Sequence, residues 1–171
     1  MKSYQTLFNQ LLIDSVMLNE RRALFSAIGI DPRDWPAENV IDIDPADGEG
    51  STALGTVGPY LLVFKKTKTY VVYDDATGAN RRISRHVGCV APRSVAETPA
   101  GTFFYGGAPG VFKTDGSSVT KVSQNVDAAL ATLASGSPTA ANAAYYRGSY
   151  YLTSEGASDV TMQFHVDTQS W

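Results

Sequence analysis

The chain is poor in the residue types from which most catalytic and metal centres are built. Its 171 residues include one cysteine and two histidines. A single cysteine excludes an internal disulfide framework and a thiolate zinc site. Two histidines leave little material for a metal cluster or a nucleophilic triad. Charge is sparse as well, at 18% of residues, against roughly 25% in an average soluble protein. The net charge of −3 argues against general binding to nucleic acid or an anionic membrane. No apolar run approaches the roughly 18 residues of a membrane span. The stretch 7–18 is interrupted by Asn9, Gln10, Asp14 and Ser15 and lacks a small-residue cleavage site, so it reads as folded structure and not as a signal peptide. With 15 glycines and eight prolines the chain falls short of the roughly 25–30% that marks low complexity. Whole-chain disorder is excluded and a sizeable core is expected.

What the chain does have is aromatic residues, 11% of the total with nine Tyr and seven Phe, and an internal repeat. Three segments share one layout of strand, glycine turn, aromatic strand, loop, further strand and polar turn. They are GSTALGTVGPYLLVFKKTKTYVVYDDATG, RSVAETPAGTFFYGGAPGVFKTDGSSVTKV and NAAYYRGSYYLTSEGASDVTMQFHVDTQSW. Their turn glycines are Gly58, Gly101 and Gly148, which gives a period of roughly 43–47 residues. An earlier copy without the glycine is visible in IDSVMLNERRALFSAIG, with its turn near Arg21. The Val, Thr, Tyr and Phe content of YLLVF, TYVVY, TFFY, SYYLT and TMQFHV suits pleated, half-buried strands. Asp115-Gly116 offers a tight hairpin, and Gly58-Pro59 breaks the ladder between two strands.

Up to four short antiparallel strands per period predicts a mainly all-β, β-propeller-like array of four-stranded blades. The competing architecture is a sandwich or barrel, whose turns recur every 8–12 residues without a longer period. The repeats are expected over approximately 11–45, 50–85, 92–123 and 141–171 of a single domain or fragment spanning 1–171. Between the last two, Val126, Ala129, Leu130 and Leu133 fall on one helical face, with Asn125 as N-cap. This predicts one short inter-blade helix near 125–134, followed by a flexible link over Ser135–Pro138. A further helix is expected over Tyr4–Leu12.

No candidate site survives comparison with its structural alternative, so no catalytic, cofactor-binding or metal-ligating residue is assigned. The acidic stretch Asp42–Glu49 fails as a calcium loop: Ala46 stands at position five, Pro45 intervenes and Ala53 stands at position twelve. It is expected to be a solvated turn. The stretch Gly48–Gly55 is followed by a hairpin and lacks the Lys-Ser/Thr pair of a phosphate loop. Cys89, in the apolar VGCVAP, is expected to be buried and not nucleophilic. His165 reads as an ordinary strand residue. Trp35 and Trp171 read as anchors that hold turns against the core. Arg81, Arg82, Arg85 and His86 form a basic run that reads as a solvated outer strand alternating with Ile83. They could also meet the acidic loop of an adjacent copy.

The runs SAIGIDPRDWPAENVIDI, LLVFKKTKTYVV, RRISRHVGCVAPRSV, FFYGGAPGVFKTDG and QFHVDTQSW resemble tailed-bacteriophage virion proteins with β-propeller-like repeats. The resemblance covers roughly residues 21–122 and 145–171, and the VGCVAPRSV block and the DP–DWP turn are its most specific parts. It departs at GGAPGVFKTDG, where a tighter and more polar turn is the pattern. The resemblance implies a non-enzymatic structural component of the virion, a tail or neck (head-to-tail) protein assembled in the host cytoplasm. Its implied partners are other virion proteins in a homo-oligomeric ring, with no cofactor, no membrane and no specific nucleic-acid binding. The competing function is a carbohydrate-binding propeller, a lectin or adhesin, using Trp35, Trp171 or Tyr145, Tyr146, Tyr150 and Tyr151. At the observed period the chain holds three to four blades where propellers close with four to eight, so a piece of a longer chain is expected.

Overall fold

The computed structural model describes residues 22–24, 40–74, 79–107, 110–134, 137–154 and 161–171. Trp35, the expected helix over Tyr4–Leu12 and the turn near Arg21 lie outside them. The described chain is mostly β, with three antiparallel sheets and one short helix. A two-stranded ribbon comes first, β1 (Arg22–Leu24) against β2 (Val40–Asp42). The first sheet is a meander of β3 (Ser51–Val57), β4 (Tyr60–Lys65), β5 (Thr69–Asp74) and β6 (Ala79–Ser84). The second repeats that order with β7 (Ala96–Thr98), β8 (Gly101–Tyr105), β9 (Val111–Thr114) and β10 (Val119–Lys121). The third has three strands, β11 (Ala141–Tyr146), β12 (Ser149–Ser154) and β13 (Thr161–His165). After its third strand a single bridge joins His165 to Ser170.

The sheets stack face to face, which explains why their central strands are unbroken apolar runs and not alternating ones. Along β4, Leu61 and Val63 point to one side, where Ile41, Ile43, Tyr70 and Val72 complete a core beneath the β1–β2 ribbon. Leu62 and Phe64 point to the other side and meet Phe104 and Phe112 of the second sheet. Phe104 stacks on Phe112 and tilts against Phe64 at 4.6 Å. The neighbours of Phe104 in β8, Phe103 and Tyr105, point away and join Tyr150, Leu152 and Phe164 of the third sheet. One five-residue strand thus holds two cores apart. The leading strands are also in contact: β3 touches β7, and β7 touches β11.

Hairpin chemistry sets the register. Arg147 and Gly148 both have positive φ, 47° and 81°, the conformation of a two-residue type I′ turn whose twist matches the strands it joins. Asp115-Gly116 does not make the expected tight hairpin. Four residues separate Thr114 from Val119, and the Asp115 carboxylate accepts the Ser117 and Ser118 amides at 2.8 and 2.9 Å. That intraloop capping replaces the two positive φ values a tighter turn would need, and Gly116 alone has φ of +86°.

The helix α1 spans Asp127–Ala134 and buries Leu130 in the core between the second and third sheets. Asn125 is not its N-cap. A 3-10 turn over Gln124–Val126 leads into the helix, and Ser123 Oγ donates instead to Asp127 at 2.9 Å.

Candidate functional site

Where the structure is most polar inside, the sequence predicts a solvated turn. Lys65 ends β4 and is fully buried. Its ammonium donates to Asp47 Oδ1 at 2.7 Å and to the Asp44 carbonyl at 3.0 Å, and it lies 5.4 Å from the centre of the Tyr70 ring. Lys68 donates to the second Asp47 oxygen at 2.9 Å. Tyr70 donates to Asp44 at 2.9 Å, Arg82 pairs with Asp44 at 3.3 Å, and Glu49 accepts the Thr67 amide at 3.0 Å.

Burial pushes the Asp47 carboxyl up, but the hydrogen bonds from Lys65 and Lys68 outweigh it and hold the group well below the usual carboxylate range. Burial raises Tyr70 in turn, reinforced by its bond to Asp44. The acidic loop is therefore a turn with Asp42, Pro45, Ala46 and Gly48 exposed, as expected, whose Asp44, Asp47 and Glu49 are clamped by cations of its own chain. Asp44, Asp47 and Glu49 are thus engaged within the chain. The missed signal is Lys65 itself, a lysine that continues the apolar run of β4 into the interior.

The segment after the basic run crosses the same end of the first sheet. Cys89 donates its amide to the Lys65 carbonyl at 3.0 Å. Gly88 lies so close to that carbonyl that any Cβ would collide with it. Cys89 is buried as expected, its thiol 3.1 Å from the Ala91 carbonyl and pushed up to about 11 by burial. Ile83 packs inward, while Arg81, Arg85 and His86 are exposed.

The opposite, hairpin end of the first two sheets holds a cleft of about 240 Å³ whose lining includes Val57, Gly58, Glu97, Pro99, Thr102 and Asp115. Thr56 donates to Glu97, and Thr102 donates to the Thr56 carbonyl, so the two sheets are tied together at its floor. Both carboxylates are exposed. Backbone hydrogen bonds from Ser118 and Ser117 bring Asp115 down to about 2, so it is anionic at any physiological pH. No lysine or arginine lines the cleft among the described residues. Sequence reasoning missed this pair because one acid lies in a strand and the other in a turn of a different hairpin.

The four tyrosines of the last repeat divide by strand alternation. Tyr150 is buried, stacks on Phe103 and donates to the Ser94 carbonyl at 2.9 Å, and Tyr145 packs against the same core. Tyr146 and Tyr151 occupy the other face of the third sheet, with Tyr146 59% exposed. The register places Tyr146, Ser149 and His165 in one row of that face, and Ala144, Tyr151 and Gln163 in the next. His165 Nδ1 lies 3.1 Å from Ser149 Oγ, which also accepts Gln163 Nε2. Trp171 tilts against Phe164 and donates to the Val122 carbonyl at 2.7 Å, an anchoring role in line with its sequence reading.

Among the described residues no group of three or more His, Cys, Asp or Glu is placed to hold a metal ion, and no helix is long and apolar enough to cross a membrane. No family model matches the chain, and no curated protein matches it.

Proposed function

We propose that this chain is a non-enzymatic structural module of a bacteriophage virion, a tail or neck component that acts through subunit contacts. Its sheets are read as consecutive blades of a β-propeller. The observation that supports this reading is the order of stacking. Each sheet follows the last in sequence, leading strands adjacent, and the two internal sheet–sheet junctions are closed by aromatic cores. The outer face of the third sheet, by contrast, keeps Ala144, Tyr146, Thr161 and His165 exposed. Stacked sheets with one face still open are completed by further sheets or by partner subunits. The sequence resemblance to virion proteins points the same way.

The test is solution mass by light scattering together with negative-stain images. A discrete oligomer, or a ring, is the expected result, and a monomer at every concentration overturns the assembly reading.

A second reading is favoured by one observation. Tyr146 and Tyr151 share the open face with Gln163 and His165, the pairing of aromatic surface and polar groups that a neutral glycan would use. Glycan-array hits abolished by Tyr146→Ala in a monomeric protein would select it.

A further inference from the structure

The first two sheets expose carboxylates without an ion pair at one end and cations without one at the other among the described residues, with Lys113 beside Gly101 as a cation at the carboxylate end. At the hairpin end the cleft presents Glu97 and Asp115, with no cation among the residues that line it. At the other end, around the Lys65–Lys68 turn and the segment 84–94, the acids Asp44, Asp47 and Glu49 are already matched by Arg82, Lys65 and Lys68. Lys66, Arg85, His86 and Arg93 are exposed there and take part in none of the ion pairs among the described residues. The two ends are fixed by register. Val57 pairs with Tyr60, and Thr98 with Gly101, at the acidic end; Ser51 pairs with Lys65, and Thr69 with Ser84, at the basic one.

From this we infer that the basic end of one copy docks on the acidic cleft of another, a head-to-tail contact between copies of this chain. The inference rests on the assembly reading and names its contact. The occupant is a second copy because a single translation along the strands brings the unmatched positive end onto the unmatched negative cleft. Guanidinium groups such as those of Arg85 and Arg93 suit that cleft, since a planar fork can meet carboxylates bidentately. A head-to-tail contact is heterologous, so its repetition builds a closed ring or an open stack according to whether the rotation closes. The acidic partner is thus Glu97 and Asp115, not the Asp42–Glu49 loop.

The test is sedimentation velocity of the whole chain over a concentration series at about 50 mM and about 500 mM salt, a range over which exposed charges become screened. The wild-type chain is expected to associate at low salt and to weaken at least tenfold at high salt. E97K/D115K and R85E/R93E should each lose association alone, and an equimolar mixture should recover it as a mixed species. E97Q/D115N, which keeps the capping oxygen of the 115–118 turn, should weaken association in the same direction and guards against misfolding. Association unaffected by salt and by both reversals overturns this contact while leaving the assembly reading intact. A monomer under all conditions overturns both.

Discussion

Tyr105 and Tyr150 are buried in the same core, but their hydroxyls are treated differently. Tyr150 donates to the Ser94 carbonyl, whereas Tyr105 Oη finds no partner among the described residues, and burial alone raises its phenol above the ordinary value. A buried polar group without a hydrogen bond carries its full desolvation cost, about 1–3 kcal/mol, and removing it recovers part of that. Tyr105→Phe is therefore expected to leave stability unchanged or raise it by up to about 2 kcal/mol. Tyr150→Phe should lower it by about 1–3 kcal/mol, because the Ser94 carbonyl loses its donor. Urea denaturation of the two variants checks the opposite signs; equal losses would show that Tyr105 Oη is bonded in solution.

The clamp over the first sheet makes a prediction at the scale of an element. Asp47→Ala leaves the buried Lys65 ammonium with only a carbonyl and a ring face, and breaking one side of a buried pair costs about 3–5 kcal/mol. Lys65→Met should cost less, since Asp47 keeps Lys68 and Tyr70. The double variant should cost less than the sum of the two, as for any contacting pair. Equal, additive losses in urea melts would contradict the clamp.

The pH dependence follows in sign. Because the folded carboxyl titrates below its unfolded value of about 3.9, the stabilisation is fully present above that pH. It is lost as pH falls toward the depressed folded value. Stability measured below pH about 4 should therefore fall more steeply in the wild type than in Asp47→Asn.

This element is also where the sequence was least legible. Strand composition and turn glycines gave the meanders, since Gly58, Gly101 and Gly148 each sit at the first hairpin of a sheet. The pairing of Asp47 with Lys65, by contrast, depends on a loop folding back over a strand end. No local pattern encodes that. The same holds for Glu97 and Asp115, which two separate hairpins bring to one cleft.

For the molecule as a whole, β8 is the partition between two cores, and its adjacent phenylalanines separate them. Phe103 stacks on Tyr150 and tilts against Phe164 of the third sheet, whereas Phe104 meets Phe64 of the first. Truncating either to alanine should cost about 3–5 kcal/mol, the transfer term plus an unfilled cavity. A loss of that size is a large fraction of the roughly 5–15 kcal/mol that holds a domain together. The two variants should nevertheless fail in different places. Phe103→Ala loosens the junction with the third sheet, so hydrogen-exchange protection should drop first in 141–165. Phe104→Ala loosens the junction with the first sheet, and protection should drop first across 51–84. Sheets that meet only their neighbours lose stability locally, as in other serially stacked arrays. If both variants instead lost protection evenly across all three sheets, the stack would be one cooperative unit, and the independence of its two cores would have to be abandoned.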